Sequence, residues 1–97
     1  MIMKIANYME DVTANILSDL LKRDEYKRLA GDEKIKLDIL AFALNRLPPK
    51  YVVTERGHVY TKLNELREQF KTNILVEITK AIQHVESNIS NNNNYEK

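Results

Sequence analysis

The side chains best suited to bind a ligand lie close together in the sequence, around a Pro48-Pro49 pair. Cations and rings mix there: Arg46, Lys50, Tyr51, Arg56, His58 and Tyr60. A phosphate needs two or three cationic donors, and each charge-assisted hydrogen bond contributes about 1.5–3 kcal/mol. Tyrosine rings can stack on bases, at about 1–3 kcal/mol per base. The pattern fits a small anionic ligand with rings, although solvated cations and core-packed tyrosines have the same spacing.

Two side chains, Asp38 and His58, are each open to two interpretations. Asp38 is a carboxylate within an apolar stretch, so it either pairs with a cation or accepts hydrogen bonds from a ligand and orients Arg46. His58 either donates to a phosphate or is an ordinary surface histidine. Neither His58 nor His84 has a partner at metal-ligand spacing, and the chain has no Cys. We therefore expect neither a metal nor another cofactor.

The sequence offers no recognisable catalytic machinery. It lacks Cys, a Gly-rich phosphate loop and the HExxH and GxSxG patterns. The acidic pair Glu10 and Asp11 are neighbours in sequence, and neighbours on a helix diverge by about 100°, so they cannot share one reacting centre. We expect a protein that is not an enzyme.

Length and charge narrow the class of partner. Ninety-seven residues make one domain, and the net charge of +1 argues against direct DNA binding through the whole surface. Four cations and one acid between residues 46 and 62 give that segment a charge of +3, which leaves −2 for the rest. A small anion fits this local excess. We expect no membrane association, because no apolar run approaches the roughly 18–20 residues of a span and the start lacks a signal peptide.

Apolar spacing predicts the helical elements. Intervals of three and four predict an amphipathic helix over about Met3–Lys22, followed by a loop or short turn over Arg23–Gly31. Asp32 is a suitable N-cap for a second helix that reaches Leu47. Pro48 ends that helix, because the residue before a proline is pushed out of the α region.

The second helix is apolar on nearly all sides, which is typical of a helix shared between two cores. After it, Lys50–Thr54 is β-branched and aromatic, and we expect it to be extended and to pair with a second copy. A third helix, which is amphipathic, is predicted from about Thr61. It has about 28 residues and a length of about 42 Å. These lengths predict an all-α homodimer with a domain over 1–90. The polar residues 91–97 are predicted to be a disordered tail.

The segment Asp38–Tyr60 resembles the late-competence-development family ComFB. The resemblance rests on the string LNRLPPKYV (Leu44–Val52), which is long and unusual, followed by Gly57 and Tyr60. The start NYMEDV (Asn7–Val12) is also similar to the family's first helix. Together these stretches cover most of residues 5–85.

The resemblance implies a small, helical, cytoplasmic bacterial protein connected with DNA uptake. Some family members are receptors for cyclic dinucleotides, namely cyclic di-GMP or cyclic di-AMP, so it also implies a signalling role with a downstream protein partner. The alternative is a ligand-free dimeric interaction module. Several members carry a Cys-x-x-Cys pair before the apolar helix, where this chain has Asp32 and Ile35. A zinc site is therefore not carried over.

Overall fold

The computed structural model describes the backbone of residues 3–55 and 59–92 and the side chains of residues 3–53 and 64–89. Its elements are β1 (Met3–Asn7), α1 (Tyr8–Leu20), α2 (Lys27–Ala30), α3 (Glu33–Leu44), β2 (Tyr51–Glu55) and α4 (Val59–Asn92). A short 3-10 turn, Asp24–Tyr26, precedes α2. The fold is mostly helical, as predicted, but it also has a small antiparallel sheet that an all-α class does not include.

The sheet corrects two expectations, one about the start of the first helix and one about the extended segment Lys50–Thr54. The first helix begins at Tyr8 and not near Met3, because residues 3–7 form β1. β1 pairs with β2 in antiparallel register, with Asn7 opposite Tyr51. The segment that we expected to pair with a second copy therefore pairs within the chain. Backbone pairing between distant segments overrides the helical spacing that the sequence shows at residue 5.

The cap of the apolar helix is confirmed and its end is corrected. Asp32 Oδ1 accepts the backbone N–H of Ile35 at 3.1 Å, as an N-cap does. The helix ends at Leu44, short of the predicted Leu47. The next residues form a tighter turn, in which the N–H donates to the third preceding residue, as Arg46 N–H does to Ala43 O at 3.0 Å. This tightening is common in the last turn of a helix.

α4 is longer than predicted and sets the length of the molecule. Its 34 residues span about 51 Å at 1.5 Å per residue, which equals the longest dimension of 51 × 25 × 22 Å. It begins at Val59, before the expected start near Thr61. Long as it is, neither α4 nor another helix within 3–55 and 59–92 is apolar enough to cross a membrane. Residues 93–97 lie outside the described part, so the disordered tail stays a prediction.

The core forms where α4 packs against α1 and α3. α3 contributes Ile39 and Ala43, which are fully buried. On the opposite side of the same helix, Leu37 is 56% exposed and Ala41 is exposed. The other buried apolar side chains are Tyr8, Met9, Val12, Ile16, Leu17, Leu20, Leu21, Leu29, Leu47, Leu66, Ile74, Ile78, Ala81, Ile82 and Val85. The apolar helix therefore buries one side in this core and leaves the other uncovered.

Candidate functional site

The chain turns sharply between α3 and β2, and one asparagine side chain fixes this corner (residues 45–50). Asn7 Oδ1 accepts the N–H of Lys50 at 2.8 Å and that of Met9 at 3.1 Å. Tyr8 N–H donates to Lys50 O at 2.8 Å. Pro48 and Pro49 have a restricted φ and no backbone N–H, so neither needs an acceptor at its nitrogen. The corner is therefore held by backbone groups on both sides of Lys50.

Asn7 is the N-cap of α1, whereas the sequence analysis placed it inside a helix that begins near Met3. The amide of Asn7 stabilises the corner, while Asn45, which belongs to the corner itself, forms the C-cap of α3. A signal was present in the sequence, because Asn7 stands three residues before Glu10, which is the spacing of a capping box. The contact with Lys50 carries no such signal, since it joins residues 43 positions apart.

Arg46 lies just beyond the end of α3 and contacts two side chains. Its Cζ lies 4.1 Å from the centroid of the Phe42 ring, a cation–π arrangement. Its Nε is 4.0 Å from Glu77 Oε1 on α4, which is too long for a hydrogen bond. The Arg46 side chain is 51% exposed. A guanidinium held this loosely can exchange its partners for those of a ligand.

A groove runs between α3 and the C-terminal half of α4, next to Arg46. We call it the α3–α4 groove, and its volume is about 580 Å³. Phe42 and His84 stack across it with ring centroids 4.6 Å apart, and the Asn88 amide lies 3.2 Å from His84 Nε2. The remaining lining side chains are Asp32, Lys34, Ile35, Asp38, Val85 and Ile89. An aromatic pair with polar groups around it is the composition of many small-ligand sites.

Asp38 lines this groove, and its carboxylate already has a partner. Lys34 Nζ donates to Asp38 Oδ2 at 2.8 Å, one helical turn away. This hydrogen bond, together with the charge of Asp38, raises the pKa of the Lys34 ammonium above its ordinary value. The structure thus shows the ion-pair interpretation of Asp38, on the helix side that also carries Phe42 and Arg46.

Lys50 and Tyr51 lie away from the α3–α4 groove. Lys50 Nζ stands 5.2 Å from the centroid of Phe70, which precedes Glu77 on α4 by seven residues, or about 10 Å along the axis. Tyr51 lies on an apolar surface that we call the outer sheet face. Its four side chains are 60–72% exposed: Met3, Ile5, Tyr51 and Val53. The predicted tyrosine is therefore not packed on the core.

The family model described as late competence development protein ComFB matches residues 6–89. The chain belongs to the ComFB family. The match includes the last two residues of β1, the corner, the α3–α4 groove and most of α4. No curated protein and no solved structure matches the chain.

In this ComFB-family chain, the structure brings together only part of the predicted binding residues. Asp38 and Arg46 share one side of α3, whereas Lys50 and Tyr51 point to other surfaces. Three predicted residues lie outside the described side chains: Arg56, His58 and Tyr60, of which Tyr60 has a described backbone in α4. Their proposed ligand contacts stay predictions.

Three side chains of the site were not selected from the sequence: Phe42, Glu77 and His84. Phe42 follows Asp38 and precedes Arg46 by four residues, a spacing that places all three on one helix face. Glu77 and His84 are seven apart and share a face of α4 in the same way. The spacing shows which residues share a face on each helix, but it does not show that these two faces contact each other.

No group of three or more His, Asp or Glu side chains in the described part of the chain is arranged to hold a metal ion. Asp32 instead caps α3, and Ile35 packs against the core. The prediction that the protein binds no metal stays a prediction.

Proposed function

We propose that this protein is a non-enzymatic cytoplasmic receptor for a cyclic dinucleotide, and that Arg46 at the end of the α3–α4 groove is its main ligand-binding residue. One observation carries the proposal. A half-exposed guanidinium lies against an aromatic ring of a groove and has no hydrogen-bonding carboxylate among the described side chains. Family membership supports a link with late competence. It does not by itself specify a ligand.

The groove suits such a ligand in size and chemistry. Small-ligand sites commonly have volumes of about 300–1,000 Å³ and combine apolar walls with a few polar groups. The α3–α4 groove, at about 580 Å³, lies within that range. Arg46 supplies a fixed positive charge for a phosphate or for the acceptor edge of a base. His84 and Asn88 add hydrogen-bonding groups on the α4 side of the groove.

The receptor acts as a homodimer in this proposal. The outer side of α3 carries an apolar stripe, in which Leu37 and Ala41 are exposed and Leu40 and Leu44 are half-buried against the core. These intervals of three and four match a helix–helix seam. The stripe continues into a groove of about 350 Å³ between α1 and α3. A two-fold ligand and a two-fold dimer also share their symmetry.

The dimer has its own test by light scattering at micromolar concentration. Leu37→Glu should give the monomer mass, because it puts a charge in the middle of the stripe. Val53→Glu is the control, since it makes the same change on the outer sheet face and should leave the dimer mass. A wild-type monomer would contradict the dimer, and a monomer only for Val53→Glu would move the interface to the sheet.

The second candidate is a ligand-free interaction module, which the outer sheet face favours. Four large apolar side chains exposed on one face of a two-stranded sheet are unusual on a free surface and are typical of a docking site. In the receptor proposal, this face binds the downstream protein. In the module proposal, it is the whole function and the α3–α4 groove stays empty.

Titration calorimetry with cyclic di-GMP and cyclic di-AMP separates the two candidates. Arg46→Ala should weaken binding by about 1.5–3 kcal/mol, because one charge-assisted contact is lost. Arg23→Ala is the matched control, since Arg23 is exposed beyond α1 and should bind like the parent. Added salt should also lower the affinity. If neither compound binds below about 100 μM, or roughly −5.5 kcal/mol, the module becomes the better proposal.

A further inference from the structure

The contacts of Arg46 define a subsite that its own guanidinium fills poorly. The subsite consists of the Phe42 ring and the Glu77 carboxylate, and we call it the guanidinium subsite. Glu77 is only 18% exposed, and its Oε1 is buried and accepts no hydrogen bond from the described residues. The Arg46 Nε is 4.0 Å away, and Lys80 Nζ is 3.7 Å from the other oxygen, Oε2. A buried carboxylate oxygen without a donor is costly, so the subsite favours a better-placed donor.

We infer, on the basis of the proposed receptor function, that the guanidinium subsite binds guanine and that Glu77 selects it over adenine. Guanine contains a guanidine unit, whose N1–H and N2–H groups form a planar two-donor edge. That edge can donate to both oxygens of one carboxylate while the ring lies on Phe42. Adenine presents an N1 lone pair at the corresponding position, and this lone pair is repelled by a carboxylate.

Access to the subsite requires only a side-chain rotation. Arg46 is 51% exposed and its chain carries no hydrogen bond to Glu77, so its guanidinium can leave the Phe42 ring. The displaced guanidinium then faces the ligand as a two-donor fork. Such a fork pairs with the O6 and N7 acceptors of guanine or with a phosphate. One base thus exchanges places with Arg46 and gains it as a second contact.

The first test uses the wild-type protein and three ligands: cyclic di-GMP, cyclic di-AMP and cyclic di-IMP. Cyclic di-IMP differs from cyclic di-GMP only by lacking the N2 amino groups. We expect cyclic di-GMP to bind about tenfold or more tighter than either analogue, since each loses donors to a charged acceptor. Equal binding of cyclic di-GMP and cyclic di-IMP, or a preference for cyclic di-AMP, would overturn the inference while leaving the receptor function in place.

The second test changes the acceptor. Glu77→Gln keeps the size of the side chain and replaces one oxygen by a donor, which suits the mixed donor and acceptor edge of adenine. We expect the preference for cyclic di-GMP to fall about tenfold or to reverse. Glu68→Gln, the same charge change at an exposed position of α4, should keep the wild-type preference. An unchanged preference in Glu77→Gln would overturn the assignment of Glu77.

These outcomes are distinct from a failure of the receptor proposal itself. If no cyclic dinucleotide binds the wild-type protein below about 100 μM, both ideas fail together. If cyclic di-AMP binds more tightly and Arg46→Ala still removes binding, only the guanine assignment fails. Circular dichroism of each variant confirms that a change in preference does not come from unfolding.

Discussion

The two sides of the corner are held by different kinds of bond. Towards β2, Lys50 is fixed by backbone hydrogen bonds of 2.8 Å to Asn7 Oδ1 and from Tyr8 N–H. Towards α3, the contacts of Arg46 with the described side chains are a cation–π contact and a carboxylate at 4.0 Å. Short bonds to partly buried backbone groups stabilise a fold, whereas loose contacts of exposed side chains contribute little. We conclude that the first side sets the geometry of the corner and that the second side contributes little to it.

The largest effect on stability should come from the first side. Asn7→Ala removes the N-cap of α1 and leaves the Lys50 N–H without its acceptor. We expect a loss of about 1–3 kcal/mol in the free energy of unfolding. Urea denaturation measures it. Asn7→Asp is the matched control, because aspartate keeps the acceptor oxygen and should retain most of the stability. Equal stability of Asn7→Ala and the wild-type protein would remove the difference between the two sides.

Arg46→Ala should have a small effect on stability and a large effect on ligand binding. It removes a cation–π contact at an exposed site, which contributes about 0.5–1 kcal/mol, and a carboxylate contact too long for a hydrogen bond. We therefore expect the free energy of unfolding to change by no more than about 1 kcal/mol, while cyclic-dinucleotide binding is strongly weakened. Urea denaturation and calorimetry on one preparation measure both. A loss as large as that of Asn7→Ala would make Arg46 a structural residue.

Lys50 provides a sharper comparison, because it also stands over a phenylalanine. Lys50 contacts α4 at Phe70, whereas Arg46 contacts it at Glu77. Phe70 lies about 10 Å closer to the N-terminal end of α4, from the helical rise over seven residues. Lys50→Ala should therefore weaken ligand binding by at most about 1 kcal/mol, as a nearby surface charge does. The same calorimetric titration measures it. If Lys50→Ala and Arg46→Ala weaken binding equally, the ligand bridges both sides of the corner.

The sequence predicts those parts of the fold that depend on local patterns. The cap at Asp32 and the apolar stripe of α4 follow from neighbours within one or two turns, and the structure contains both. β1 was missed because Ile5 fits the helical stripe of the following residues. Its actual partner, Val53, is remote in sequence, and pairing at that distance leaves no local trace.

The candidate site was predicted in part for the same reason. Arg46 and Asp38 stand out by charge within an apolar segment, so they were selected. Glu77 did not stand out, because a charged residue on a long amphipathic helix is most often solvated. Its burial depends on how α3 crosses α4, which no local spacing determines. The sequence could thus identify candidate residues in and next to one helix, but not the surface that they face.

The smallest expected effect concerns an ion pair of side chains between α1 and α4, which tests whether such contacts are weak throughout this protein. Arg67 Nη2 donates to Asp19 Oδ2 at 2.8 Å, near the C-terminal end of α1. This hydrogen bond and the Arg67 charge hold the pKa of the Asp19 carboxyl below its ordinary value of 3.8. A lowered pKa means that the pair stabilises the fold above that ordinary value. The stabilisation is then lost as the pH falls through the lowered pKa.

Urea denaturation of the wild-type protein and of Asp19→Asn should therefore differ slightly at pH 7, and the difference should vanish in strong acid. Added salt should reduce it as well, because both side chains are in contact with solvent. In an Arg67→Gln background, Asp19→Asn should have a smaller effect, since the Arg67 pair is already broken while the contact of Asp19 with Lys22 remains. A difference that persists at every pH would mean that the Asp19 side chain acts through packing. A difference as large as that of Asn7→Ala would show that side-chain pairs, and not only backbone bonds, hold the helices of this fold together.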